Sequence, residues 1–137
     1  MKTAIVNIKT IVSGDWRKPF AKGDSILMNN GKITKVGTIS SKEFDSCDFV
    51  LDADGMTAAP GLIDSQVHVA FADYTPRQRT IGFLESYLHG GITTSISASE
   101  VHVPGRPTDP DGVVALAVAA TKSFDNYSPG GMHVHAG

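Results

Sequence analysis

The stretch Asp52-Ala53-Asp54-Gly55-Met56-Thr57-Ala58-Ala59-Pro60-Gly61-Leu62-Ile63-Asp64-Ser65-Gln66-Val67-His68-Val69 decides how the rest of the chain is read. Asp54-Gly55 has the chemistry of a turn and Pro60-Gly61 that of a break, after which Leu62-Ile63 leads into a strict alternation. Taken as a strand, Ile63 to Val69 has a period of two, which puts Asp64, Gln66 and His68 on one face and Ile63, Ser65, Val67 and Val69 on the other. Three polar side chains able to hold a metal would then point the same way.

Downstream the period changes. Thr75 suits an N-cap with Pro76 in the first helical position, and Ile81, Leu84 and Leu88 fall at i, i+3 and i+7, so Pro76 to His89 is predicted helix with Gly90 as its stop. Gly91 to Ala98 follows as a strand whose small hydroxyl residues suit a crowded interior. Asp111 to Phe124, with Val113, Val114, Leu116, Ala117, Ala120 and Phe124, is a second helix with an apolar face. After Ser128-Pro129-Gly130-Gly131, Met132 to Ala136 is a third strand. Strand, helix, strand, helix, strand is the pattern of parallel βαβ units.

Upstream the strands are short. Thr3 to Val12 alternates as one strand ending at the Ser13-Gly14-Asp15 turn, and Trp16 to Lys22 is irregular. Runs 24–28 and 32–37 flank Asn29-Asn30-Gly31, a strong hairpin signal. Ser40 to Asp48 reads as a loop or a single helical turn, and Phe49 to Asp52 as a further strand. Together these predict a small antiparallel sheet or sandwich over residues 1–57, before β/α units over 58–137.

The 137 residues are 41% apolar and 19% charged, an ordinary soluble composition. A formal net charge of −2 and a pI near 6.2 give no basis for nucleic acid or an anionic membrane as partner. Cys47 is the only cysteine, which excludes an intrachain disulfide and points to a reducing, cytoplasmic setting. Met1-Lys2-Thr3 is followed by alternation instead of a long apolar run, so no signal peptide is expected, and no apolar run approaches the ~20 residues of a membrane span.

The run "DADGMTAAPGLIDSQVHV" resembles the signature of the amidohydrolase superfamily, metal-dependent hydrolases in which Pro-Gly-x-x-Asp-x-His-x-His ends the first strand of a (β/α)8 TIM barrel. "DYTPRQRTIGFLESYLHGGITTSISA" and "HVPGRPTDPDG" are similar to the enamidase branch, whose members hydrolyse a cyclic enamide. The resemblance implies hydrolysis of a C–N bond in a small cyclic amide by water activated on one or two Zn2+ ions. A whole barrel takes ~250 residues, so the sequence reads as the amino-terminal part of a longer enzyme, an incomplete barrel that would be inactive alone. Its exposed partial sheet is expected to self-associate, making the protein a homo-oligomer.

Two departures bear on the site. Gln66 stands where the signature has its first histidine, and the chain reaches Gly137 before the later metal-binding residues of the family occur. His68 is the expected metal ligand, since neutral imidazole on a rigid strand suits zinc. A carboxamide oxygen is a weaker zinc donor than imidazole, so Gln66 reads either as a substituted ligand in an altered site or as the mark of a damaged one. Asp64 reads as a catalytic carboxylate, as an orienting partner for the histidines, or as a structural strand-end group.

His133 and His135 form a second His-x-His on one strand face. The resemblance assigns His135 to the substrate side, as a catalytic and substrate-binding residue. His102 and Arg106, in the loop 99–110, are further substrate-binding candidates, with the Arg106 fork suited to a carboxylate on a nicotinate-like ring; the alternative is a solvated loop. Arg77 and Arg79 read as surface charge. Two rival readings stand beside the first: a non-catalytic, self-associating β/α module, and an imidazolonepropionase- or dihydroorotase-like cyclic amidase.

Overall fold

The structure, a computed structural model, describes residues 1–69, 80–97 and 107–136. They form mixed α/β architecture with three separate sheets, divided between two compact units, Met1–Pro60 and Gly61–Gly137.

In the first unit, β1 (Lys2–Val6), β4 (Ser25–Asn29), β5 (Lys32–Gly37) and β6 (Phe49–Asp52) make a four-stranded sheet in the order β5-β4-β1-β6. The β4–β5 hairpin turns through Asn30 and Gly31 at φ 48° and 76°, both left-handed, as a tight two-residue connection requires. The expected single strand Thr3–Val12 is instead two. Asn7 at φ 57° swings the chain out of the first sheet, and its Nδ2 donates to Asp52 Oδ2 at 3.0 Å. The chain then re-enters as β2 (Thr10–Val12) in a second sheet with β3 (Phe20–Ala21) and β7 (Thr57–Ala58), in the order β3-β2-β7.

Nor is this layer wholly antiparallel, because β6 runs parallel to β1 and β7 parallel to β2. The segment 16–22, expected to be irregular, supplies β3. Between β5 and β6 lies the short helix α1 (Ser41–Asp45), closed by a reciprocal capping box between Ser40 and Glu43. Ile8, Ile11 and Ala53 are the buried centre, with Ile5, Ala21, Ile26 and Ala58 packed around them.

The second unit is a three-stranded parallel sheet in the order β10-β9-β8, made of β8 (Leu62–Val67), β9 (Ile92–Ser97) and β10 (His133–Ala136). Helix α2 (Thr80–His89) precedes β9 and α3 (Pro110–Asn126) precedes β10. Asp109 caps α3, its Oδ1 accepting the N–H of Gly112 at 2.7 Å. The left-handed stop of α2 is Gly91 (φ 88°), one residue beyond the expected Gly90, and its N–H reaches the carbonyl of Leu88. Thr75 and Pro76 lie outside the described residues.

Leu84, Met132, Val69 and Phe124 are almost wholly buried between sheet and helices. Each such burial contributes ~1.5–3 kcal/mol relative to exposure. The apolar side of α3 is narrower than expected. Ala120 and Phe124 are buried, whereas Val114 is 62% exposed, because only one flank of the helix meets the core.

Candidate functional site

β8 is not a uniform strand. Its pairing with β9 matches Ile63 to Thr94 and Asp64 to Ser95, then resumes at Val67 with Ser97. Two residues, Ser65 and Gln66, therefore face the single Ile96, which is a β-bulge, a rare one for a parallel pair. An inserted residue reverses the alternation. Val67 and Val69 are buried under the helices, and Gln66 and His68 are exposed. Asp64 falls on the covered side with Val67, in line with Ser95. The expectation that Asp64, Gln66 and His68 share a face is thus overturned by the extra β8 residue between Asp64 and Val67, the second shift in a ladder whose first lies between Leu62 and Ile63.

Asp64 explains how the bulge is held. Its Oδ1 accepts the backbone N–H of Gln66 at 3.1 Å. On the helix side its charge is felt by Tyr87, whose ring stacks on Phe83 of the same helix with centroids 4.4 Å apart. Burial, followed by the negative charge of Asp64, pushes the Tyr87 hydroxyl above its ordinary pKa of 10.0. The bulge has a cost, since Ile63 is left 67% exposed on the other face. Regular pairing that kept Val67 and Val69 in place would turn Ile63 inward, and burial of such a side chain contributes ~1.5–3 kcal/mol.

His68 lies one residue beyond the end of β8, not within a strand running to Val69 as expected. The chain just past it is fixed by a buried contact, Val69 N–H to Ser97 Oγ at 3.2 Å. At the far side of the sheet, His133 pairs with Thr94 and His135 with Ile96. Both imidazoles are exposed, while Val134 and Ala136 between and beyond them pack into the core. The open face therefore carries Gln66 near the end of one outer strand with His68 just beyond it, Thr94 and Ile96 in the middle, and His133 and His135 on the other outer strand. Two strand spacings, ~10 Å, separate the outer strands.

No three His, Cys, Asp or Glu side chains gather into a metal-holding group among the described residues. A catalytic zinc takes three protein ligands, and here β8 supplies one imidazole and one neutral carboxamide. This donor set fits part of such a centre. His102 and Arg106 lie outside the described residues. Reasoning from sequence missed Tyr87 and Ser97; the signal for Tyr87 was a phenol three residues from Leu84 on a helix face expected to be buried.

Comparison with known proteins gives a consistent result. Enamidase from Eubacterium barkeri is 46% identical over 136 residues, 99% of this chain and 35% of that protein. The crystal structure of enamidase, described as a new member of the amidohydrolase superfamily, matches with a TM-score of 0.86 over 100% of this chain and 36% of its own. Imidazolonepropionase from Paenarthrobacter aurescens (strain TC1) is 32% identical over 98 residues, 71% of this chain and 24% of that protein. A mutant atrazine chlorohydrolase from Arthrobacter aurescens TC1, complexed with zinc and atraton, shares the fold at a TM-score of 0.63 and 22% identity, covering 98% of this chain and 35% of its own. No family model matches. The chain spans about a third or less of the length of these curated relatives. Along its whole length the chain is similar to enamidase, whose crystal structure is described as that of a member of the amidohydrolase superfamily.

Proposed function

We propose that this chain is the amino-terminal part of a metal-dependent amidohydrolase that opens a cyclic amide at its C–N bond, as an enamidase-like enzyme would. The whole-length likeness to enamidase carries this reading. On it, residues 58–137 are the first β/α units of a TIM-type barrel, a reading supported by three parallel strands with helices between them. Residues 1–57 are a small β-sandwich layer.

His68 and Gln66 would be two ligands of a zinc ion, with the remainder supplied from outside the described residues. A zinc ion bound there would lower the pKa of its water to roughly 7 and polarise the amide carbonyl. His135, exposed on the same face, would contact the substrate and exchange a proton with it. Asp64 faces Tyr87 and the core, so its part is to fix the backbone that carries Gln66. His102 and Arg106 would bind the ring substituents, with Arg106 clamping a carboxylate.

Gln66 favours a second reading, a catalytically silent module that self-associates into a homo-oligomer. The reducing cytoplasm is the setting that the lone Cys47 suggests, and no helix among the described residues is long and apolar enough to cross a membrane. One experiment separates these readings. The longer polypeptide that the first reading requires is incubated with a panel of cyclic enamides, imidazolones and dihydropyrimidines, with zinc or with a chelator, and products are followed by mass spectrometry for gain of one water. Zinc-dependent opening of a cyclic amide is the expected result, and the ring that opens distinguishes an enamidase-like from an imidazolonepropionase-like enzyme. No opening of any ring, with no zinc retained, supports the silent module.

A further inference from the structure

We infer that the imidazoles of His133 and His135 form a bidentate site for a divalent transition-metal ion, Cu2+ most strongly, separate from the His68 end of β8. The inference does not rest on the proposed function, which gives this pair no metal.

The pair stands on regular backbone. β10 keeps one unbroken register with β9, from His133 against Thr94 to Ala136 against Ser97, whereas β8 shifts twice against the same strand. Unbroken alternation turns Val134 and Ala136 into the core and leaves both histidines exposed on the open face. The start of the strand is pinned as well. Met132, just before it, is 1% exposed; its N–H donates to the Pro129 carbonyl at 3.0 Å, and its carbonyl accepts the Ser128 hydroxyl at 2.8 Å. Among the described residues neither ring makes a hydrogen bond or an ion pair, so their nitrogens are not committed there.

Alternate residues of a strand lie ~6.6 Å apart along the backbone. Each imidazole reaches out on two rotatable bonds, so two rings on one face can lean together onto one ion, ~2.0–2.1 Å from each nitrogen if it is zinc. Because the backbone is fixed beforehand, the second nitrogen binds intramolecularly once the first has, and only side-chain rotamers are ordered. No third His, Cys, Asp or Glu joins them among the described residues, which leaves the other coordination positions to water. Two imidazoles with open positions and no imposed tetrahedron favour Cu2+, with Ni2+ and Zn2+ below it. The spacing is the one that Gln66 interrupts on β8, Gln66-x-His68 there and His133-x-His135 here. An ion on β10 would also occupy His135, to which the proposed function gives a proton exchange, so on that reading it would inhibit the reaction.

The test is titration of the protein with Cu2+, read by calorimetry and by electron paramagnetic resonance, for the parent, His133→Asn, His135→Asn and His68→Asn. All three side chains are exposed, and circular dichroism checks that each variant keeps the fold. The expected result is that His68→Asn retains a copper signal split by two imidazole nitrogens. His133→Asn and His135→Asn should each lose one of those couplings and bind that ion at least ~10-fold more weakly, since loss of a ligand costs no less than the ~10–100-fold of a lost outer partner. Zn2+ should compete for the pair only at higher concentration than Cu2+. Unchanged copper affinity in either β10 variant overturns the inference. So does disappearance of the two-nitrogen signal in His68→Asn, which would place the ion on β8.

Discussion

Two serines on the same covered face of β9 should respond to the same substitution with opposite sign. Ser95 and Ser97 are both fully buried. The Ser97 hydroxyl accepts the Val69 N–H at 3.2 Å, whereas the Ser95 hydroxyl has no hydrogen-bond partner among the described residues. Ser97→Ala would strand the Val69 N–H at a residue only 1% exposed, and leaving a buried donor unsatisfied costs ~1–3 kcal/mol. Ser95→Ala removes a hydroxyl that was desolvated without compensation, so the same principle gives a gain of about 1 kcal/mol, reduced by the small void left behind. The two variants should thus differ by roughly 2–4 kcal/mol. Urea unfolding followed by circular dichroism reads mainly α2 and α3, both in residues 61–137. With a slope of ~1–3 kcal/mol/M the midpoints should separate by on the order of 1 M, the parent lying between them. Destabilisation by both substitutions to the same extent would refute the reasoning, because it would mean that the Ser95 hydroxyl is satisfied or that packing volume alone governs this row.

Three further outcomes are expected. Glu43 is held at about 2, below its ordinary 4.5, first by the Ser40 backbone N–H, then by Lys35 at 2.9 Å and by the Ser40 hydroxyl. Its contribution to stability is therefore complete above about 4.5 and is lost as pH falls toward about 2. A carbon-13 titration of its carboxyl should show that low midpoint, and Lys35→Met should raise it. At Gly61 an added Cβ would overlap the Thr93 side chain, so Gly61→Ala should destabilise residues 61–137 by ~1–3 kcal/mol in the same urea assay. Gln66→His places a second imidazole beside His68 on the exposed side of the bulge. Isothermal titration with Zn2+ should show tighter binding than in the parent, and equal or weaker binding would exclude position 66 as a ligand.

What could be read from the sequence was mostly local. The β4–β5 hairpin follows from Asn30-Gly31, and the facing of His133 and His135 follows from their alternation with Val134 and Ala136. The break at Asn7 was hidden because the residue types on either side keep alternating, while the left-handed turn is stabilised by a distant partner, Asp52. The parallel pairings of β6 with β1 and β7 with β2 depend on where the chain returns, which no short-range pattern encodes. The bulge in β8 is the most consequential case. The sequence from Asp64 to Val69 alternates perfectly, and nothing in it announces an inserted residue. The slip exists only in the pairing of β8 with β9, which forms when the unit folds.

The central claim is that the exposed end of β8 is where a metal-activated hydrolysis would be organised. X-ray diffraction from zinc-loaded crystals at the zinc absorption edge tests it most directly. The expected result is an anomalous peak ~2.0–2.1 Å from an imidazole nitrogen of His68, on the face opposite Asp64 and Tyr87. A peak coordinated only by other residues, or no peak in a protein saturated with zinc, would contradict it.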